Sequence, residues 1–328
     1  YVCYAIASNG VGGNACSAAS AVTTVAPWRL AAGYENNGRI WISAYDASWT
    51  EASAPRADWY SIASSSDGSK LAAVIRFDRI WRSTDSGASW TEASAPQAEW
   101  ISIASSSDGS KLAAVAYGGG IWRSTDSGAS WTKTSAPKTL WHSIASSSDG
   151  SKLAAVEAAL TGASIWRSTD SGASWTETSA PRADWRSIAS SSDGSKLAAV
   201  ILGDRIWRST DSGASWTEAY APRADWWSIA SSSDGSKLAA VISGDRIWRS
   251  TDSGASWTEA YAPQALWQSI ASSSDGSKLA AVIAEMALEE HGLWCVVDQR
   301  PDRSLSSVLD VNRVFRVIES CSYGGNFS

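Results

Sequence analysis

Aspartates carry the first chemical question this sequence poses. Asp85, Asp126, Asp170, Asp211 and Asp252 each stand in the same string, Ser-Thr-Asp-Ser-Gly-Ala-Ser-Trp. A carboxylate there could ligate a cation or move a proton, but copies in identical context cannot each be an active centre. Asp before Ser-Gly readily accepts hydrogen bonds from turn amides, so these residues are read as structural turn holders. Two-carboxylate glycoside hydrolysis needs acids separated by about 5–9.5 Å. The other recurrent acids, Asp58, Glu99, Asp184 and Asp225, lie a whole repeat apart. Arg82, Arg123, Arg167, Arg208 and Arg249 recur just as regularly. Each is expected to cover neighbouring apolar surface with its stem. The cysteines, Cys3, Cys16, Cys295 and Cys321, sit near the ends with no metal-ligand spacing, and the only histidines are His142 and His291. No metal and no cofactor are expected.

The bulk composition narrows the partners. In 328 residues, 27 Lys and Arg face 33 Asp and Glu, a net charge of −6. Nucleic acid, which rewards clustered positive charge, is not an expected partner. No apolar run approaches the roughly 18 residues that cross a bilayer, so no membrane insertion is expected. The chain opens at Tyr1 and reads as a piece of a longer protein. Its compartment stays open between a secreted or cell-surface location and a plastid lumen.

The elements that must position these residues come from a repeat. Ser-Ile-Ala-Ser-Ser-Ser-Asp-Gly-Ser-Lys-Leu-Ala-Ala-Val begins unchanged at Ser61, Ser102, Ser143, Ser187, Ser228 and Ser269. Ile-Trp-Arg-Ser-Thr-Asp-Ser-Gly-Ala-Ser-Trp-Thr begins at Ile80, Ile121, Ile165, Ile206 and Ile247. Most of the 21 Trp fall at three fixed places in this unit, so their abundance reflects copying. Each unit parses as four strands: Trp59 to Ser64 (A), Lys70 to Ile75 (B), Ile80 to Ser83 (C) and Ser89 to Ala93 (D). Asp67-Gly68 suits a tight A–B hairpin. One such sheet cannot bury both faces, so copies must stack. A period of about 41 residues with four strands is that of a propeller blade; an open β-solenoid is the alternative.

Ser83 to Trp90 resembles the Asp box, Ser-x-Asp-x-Gly-x-x-Trp, of sialidase-type (BNR) repeats. The wider unit, Ser-Ser-Asp-Gly-x-Lys followed by the box, is most similar to photosystem II stability and assembly factor-like repeats. The resemblance covers about residues 28 to 283 and implies an all-β propeller of four-stranded antiparallel blades. Strand counting gives six blades, with orphan C and D strands at 39–51 sharing a composite blade with the orphan A and B at 267–283. Leu30-Ala31-Ala32 is then a spare B strand. Propellers similar to the photosystem factor usually have seven blades, which makes a seventh built from the tail the alternative. The box at Ser43 to Trp49 is one residue short and lacks its Gly.

Three regions follow. Residues 1–27 alternate around a Gly-rich turn and resemble the last hairpin of a truncated fibronectin type III module. Cys3 and Cys16 either pair across it, which an oxidising compartment favours, or remain free thiols. Residues 28–283 are the propeller. Residues 284–328 form a non-repeat tail, with a short helix expected at Glu285 to His291 and one or two strands in Val308 to Ile318.

In such a blade the A–B and C–D turns share one face of the disc, and the B–C and D–A links share the other. The invariant blocks own the first face, while variation falls on the second. It is sharpest just after the D–A tryptophan, where Tyr60, Ile101, His142, Arg186, Trp227 and Gln268 differ while the next Ser and Ile never do. Loops on a rigid scaffold are where recognition usually sits, so these six are the candidate ligand-binding residues; relaxed constraint at exposed sites is the competing explanation. His142, without a partnered acid, also reads as a plain surface residue. The sialidase resemblance implies an arginine cluster, a Tyr–Glu nucleophile pair and an Asp acid. The family's Arg-Ile-Pro is absent, because Arg39-Ile40 and Arg79-Ile80 are followed by Trp. The expectation is therefore a monomeric, non-catalytic scaffold engaging a protein or glycan through its variable face, with an assembly role like that of the photosystem factor. A sialidase-like glycoside hydrolase and an amplified repeat with no dedicated ligand are the alternatives.

Overall fold

The structure, a computed structural model, describes residues 2–7, 29–34, 40–44, 49–159, 162–283, 293–298 and 306–310. Among the described residues there are strands and no helices, and the strands form seven antiparallel units of four. The chain is a β-propeller, as the repeat predicts. In the second blade A is Trp59–Ser64, B Leu71–Ile75, C Ile80–Ser83 and D Thr91–Glu92. B is fully buried, although Ala-Ala makes it the weakest strand former by propensity. It lies mid-sheet between A and C, and tertiary burial decides.

The composite closure does not occur. Trp41–Ala44 and Trp49–Glu51 share a sheet with Val2–Ala7 and Arg29–Tyr34, whereas Ala265–Ser272 and Lys278–Ile283 pair onward to Leu293–Asp298 and Ser306–Asp310. The six-blade expectation thus gives way to its seven-blade alternative. Leu30 to Ala32 is the genuine B strand of blade 1, pairing with both neighbours. Val2–Ala7, inside the segment read as a fibronectin-type hairpin, is that blade's A strand. The tail supplies C and D of blade 7, so sheet boundaries do not fall at residues 27 and 283. The Cys16 side of the expected hairpin, the helix expected at Glu285 to His291, and Cys321 lie outside the described residues.

The A strands circle the axis, each beside the next, with Ala265–Ser272 returning to Val2–Ala7. Blade is held to blade by the invariant blocks. The A-strand tryptophans, Trp59, Trp100, Trp141, Trp185, Trp226 and Trp267, are at most 1% exposed and form the largest buried side chains. Several donate their indole N–H to the proline carbonyl four residues earlier, as Trp59 does to Pro55 at 3.2 Å, which fixes the D–A link. They pack against C- or D-strand tryptophans at centroid distances of 6.1–6.4 Å. Around the A–B face the turns of blades 2 to 7 join in a backbone ladder: Ser66 N–H to Ser107 O, Ser107 to Ser148, Ser148 to Ser192, Ser192 to Ser233 and Ser233 to Ser274, at 2.6–2.7 Å. The repeat lysines from Lys70 to Lys237 follow suit, Lys70 Nζ donating to Asp108 O at 2.8 Å.

Candidate functional site

The Asp-box residues behave as turn holders in every described copy. Asp85 accepts from Ser83 Oγ at 2.8 Å, from the Ser89 N–H at 2.9 Å and from Ser89 Oγ at 2.5 Å. The Ser89 hydroxyl, then the Ser89 N–H and the Ser83 hydroxyl, hold its carboxyl down at about 2. Asp170 and Asp211 are also held at about 2, with the matching hydroxyls, Ser174 and Ser215, as the main cause. At Asp126 and Asp252 partial burial is the largest influence and opposes, but the same donors outweigh it; Asp252 too stands at about 2. The box also clasps the previous blade. Gly172 has φ +80°, and a Cβ there would lie 3.2 Å from Leu153 Cδ1 and 3.6 Å from Arg123 Cδ. The Arg123 head donates to Ser171 O at 3.1 Å. Arg82, Arg123, Arg167 and Arg208 therefore do cover a neighbour with their stems, and the heads of Arg123 and Arg167 fasten its turn as well.

On the other face the six variable residues share a feature that composition did not suggest. In each blade from the second to the seventh, strand register slips between the tryptophan and the following serine: Trp59 faces Ile75 while Ser61 faces Val74. The same slip occurs at Trp100/Ser102, Trp141/Ser143, Trp185/Ser187, Trp226/Ser228 and Trp267/Ser269. Tyr60, Ile101, His142, Arg186, Trp227 and Gln268 are each the extra residue of a β-bulge. Bulges re-aim a side chain and are frequent at barrel rims and active sites. Blade 1 has no such slip, since Val2–Ala7 pairs with Arg29–Tyr34 in continuous register.

Their side chains lean toward the next blade. Tyr60 packs on the core containing Trp100, and Trp227 packs on that containing Trp267. His142 Nδ1 lies 2.6 Å from Arg186 O, and since a carbonyl only accepts, that nitrogen carries the proton. The Arg186 guanidinium carbon sits 5.5 Å from the Trp227 ring centroid, and Nη2 pairs with Asp184 at 2.7 Å. Burial lowers the pKa of His142; the Arg186 charge adds to this, while the Arg186 carbonyl and the Asp184 charge oppose it. His142 is thus a wedge between blades rather than a plain surface residue. Ile101 is buried at 7% exposure, so it packs and presents little. Arg186 Nε and Gln268 Oε1 are buried without a hydrogen-bond partner, leaving a donor and an acceptor unused at this mouth.

Of the acids weighed for hydrolysis, Glu99 takes Arg76 at 2.8 Å and Asp184 takes Arg186 at 2.7 Å, while Asp225 is exposed. Among the described residues no group of three or more His, Cys, Asp or Glu is placed to hold a metal. Toward the A–B face the channel encloses about 270 Å³ lined by the last A-strand residues, such as Ile62, Ala63 and Ser64. The matching residues of blades 2 to 7 are identical, so this lining offers little to distinguish one ligand from another. The B–C links, variable in sequence, add Arg76, Phe77 and Tyr117 to this face beside the six candidates. Phe77 and Tyr117 are 64% and 40% exposed.

No family model and no curated protein matches the chain. Solved structures do. YCF48 bound to D1 peptide is 15% identical at a TM-score of 0.58, covering 78% of this chain and 84% of that one. The Cps50 (Swd1) β-propeller domain of Myceliophteria thermophila is 14% identical, with a TM-score of 0.60 over 78% and 90%. Kuenenia stuttgartiensis hydrazine synthase is 14% identical, with a TM-score of 0.58 over 76% and 90%. At such identities the likeness is one of fold. The fold is that of the β-propellers, and YCF48 is among the proteins that share it.

Proposed function

We propose that this propeller is a non-catalytic assembly scaffold whose partner is a protein docking on the B–C and D–A face. The observation that carries the reading is the bulge repeated at every variable residue from blade 2 to blade 7, which confines sequence variation to one mouth of a rigid ring. A shared bulge with differing side chains is a constant mount for changing contacts. The fold neighbour YCF48, described as bound to D1 peptide, lends precedent for a peptide on such a scaffold. The resemblance to photosystem II assembly factor-like repeats points the same way, toward assembly rather than turnover. Against hydrolysis, Glu99 and Asp184 on this face are spent on arginines.

The test is a pull-down from the native host with the wild type and with Tyr60→Ala/Arg186→Ala/Trp227→Ala. Aromatic and Arg anchors dominate interface energies, so the partner should be lost from the triple variant at an unchanged circular dichroism spectrum. A partner retained by the triple variant, but lost when Lys111 and Lys152 on the opposite face become Ala, would sink the reading.

A further inference from the structure

Blade 2 departs from the others at one backbone position. The B–C link turns at its third residue with positive φ, and blades 3, 5 and 6 place Gly118, Gly203 and Gly244 there at φ +63°, +74° and +83°. Blade 2 places Phe77 there at φ +62°. A bulky residue in the left-handed region is strained. Burial does not repay the strain, because the ring is 64% exposed. Such outliers concentrate where strain serves a ligand.

The surroundings form a shelf across the boundary of blades 2 and 3. The Arg76 guanidinium carbon lies 4.9 Å from the Phe77 centroid and 5.4 Å from that of Tyr60. Its Nε and Nη2 donate to Glu99 Oε1 at 3.2 and 2.8 Å. Tyr117, exposed in the neighbouring link, is held by its N–H on Glu99 O at 2.8 Å. The cation therefore stiffens the aromatic rings while its own charge is met by Glu99. An anion would ask for an uncommitted cation. Arg76 and Glu99 are engaged with each other, so the shelf presents its rings to a neutral ligand that stacks, and on the proposed scaffold function that ligand is a protein segment.

We infer that the Phe77 shelf, with Tyr60, Arg76 and Tyr117, is the anchor point for an extended, proline-bearing segment of the partner protein. Proline rings stack on aromatic-lined surfaces from a pre-extended polyproline II backbone, which keeps the ordering cost low. This rests on the proposed scaffold function and names the ligand chemistry for one part of its face.

The experiment is fluorescence anisotropy with a labelled pool of proline-rich decapeptides, and chito-oligosaccharides as competitor. The wild type should bind the pool. Phe77→Gly should weaken binding about tenfold while the melting temperature stays level or rises by about 1–3 °C, because glycine relieves the strain. Tyr117→Ala should weaken binding at unchanged melting temperature. The inference is overturned if the pool does not bind, if the sugars displace it, or if Phe77→Gly lowers the melting temperature and leaves binding intact. The first of these leaves the scaffold reading to its own pull-down, so the two failures are distinguishable.

Discussion

Ser61 Oγ accepts the backbone N–H of Ile103, one blade further on, at 3.2 Å. The relation repeats for Ser102 and Ile144, Ser143 and Ile188, Ser187 and Ile229, and Ser228 and Ile270, at 3.3–3.4 Å. This is why serine beside the most variable residue of the chain never varies. Ser187→Ala leaves the Ile229 N–H without its acceptor and should cost about 1–2 kcal/mol, read as a lower urea midpoint. Combined with Ser61→Ala, several blades away, the losses should add.

Acid should unfold the ring late. Asp85, Asp170, Asp211 and Asp252 stand at about 2 against an ordinary 3.8. A carboxyl whose folded pKa is depressed binds its proton more readily in the unfolded chain. Its stabilising contribution is complete above 3.8 and is lost as pH falls toward 2. Their contribution to the denaturant midpoint should stay whole down to about pH 5 and then drop steeply. Asp170→Asn should shrink the drop.

His142 acts in a higher window with its own sign. Its folded pKa lies below the ordinary 6.5, chiefly through burial. The unfolded chain therefore takes up the proton first, and stability is lost as pH falls below 6.5. His142→Gln should flatten the midpoint between about pH 6.5 and 5, measured at constant salt.

The six variable residues should divide by burial. Ile101, at 7% exposure, packs inside blade 3. Ile101→Ala should cost about 2–4 kcal/mol of stability, with any effect on partner capture following from that loss. Trp227→Ala, at a half-buried site, should weaken capture more than its stability cost explains.

Calcium and chelator should each move the melting temperature by less than about 1 °C, since a tight site would raise it through linkage. The Asp-box carboxylates already accept hydroxyl and amide donors within their own turns. A rise of several degrees with calcium would contradict this assignment.

The blade was legible in the sequence because its strands are written in invariant blocks with three fixed tryptophans. The ring count was not. Leu30 to Ala32 has the B-strand letters without the flanking Trp and Asp-Gly, and Leu293–Asp298 fills a C position with Trp294 pairing where Ile80 pairs in blade 2. Backbone pairing tolerates both, whereas pattern matching does not. The bulge was hidden for a related reason. A residue between Trp and Ser reads as the next position of a strand, and only the pairing partner shows that it has none of its own. The face carrying variation was readable; the sideways lean of Tyr60, His142 and Trp227 depends on the neighbouring blade. Phe77 left a faint trace, an aromatic residue aligned with glycines.

The serine ladder around the A–B turns has a mechanical meaning. Peptide groups linked head to tail from blade 2 to blade 7 act as a strap, and outward strain on any one of these blades is shared with its neighbours.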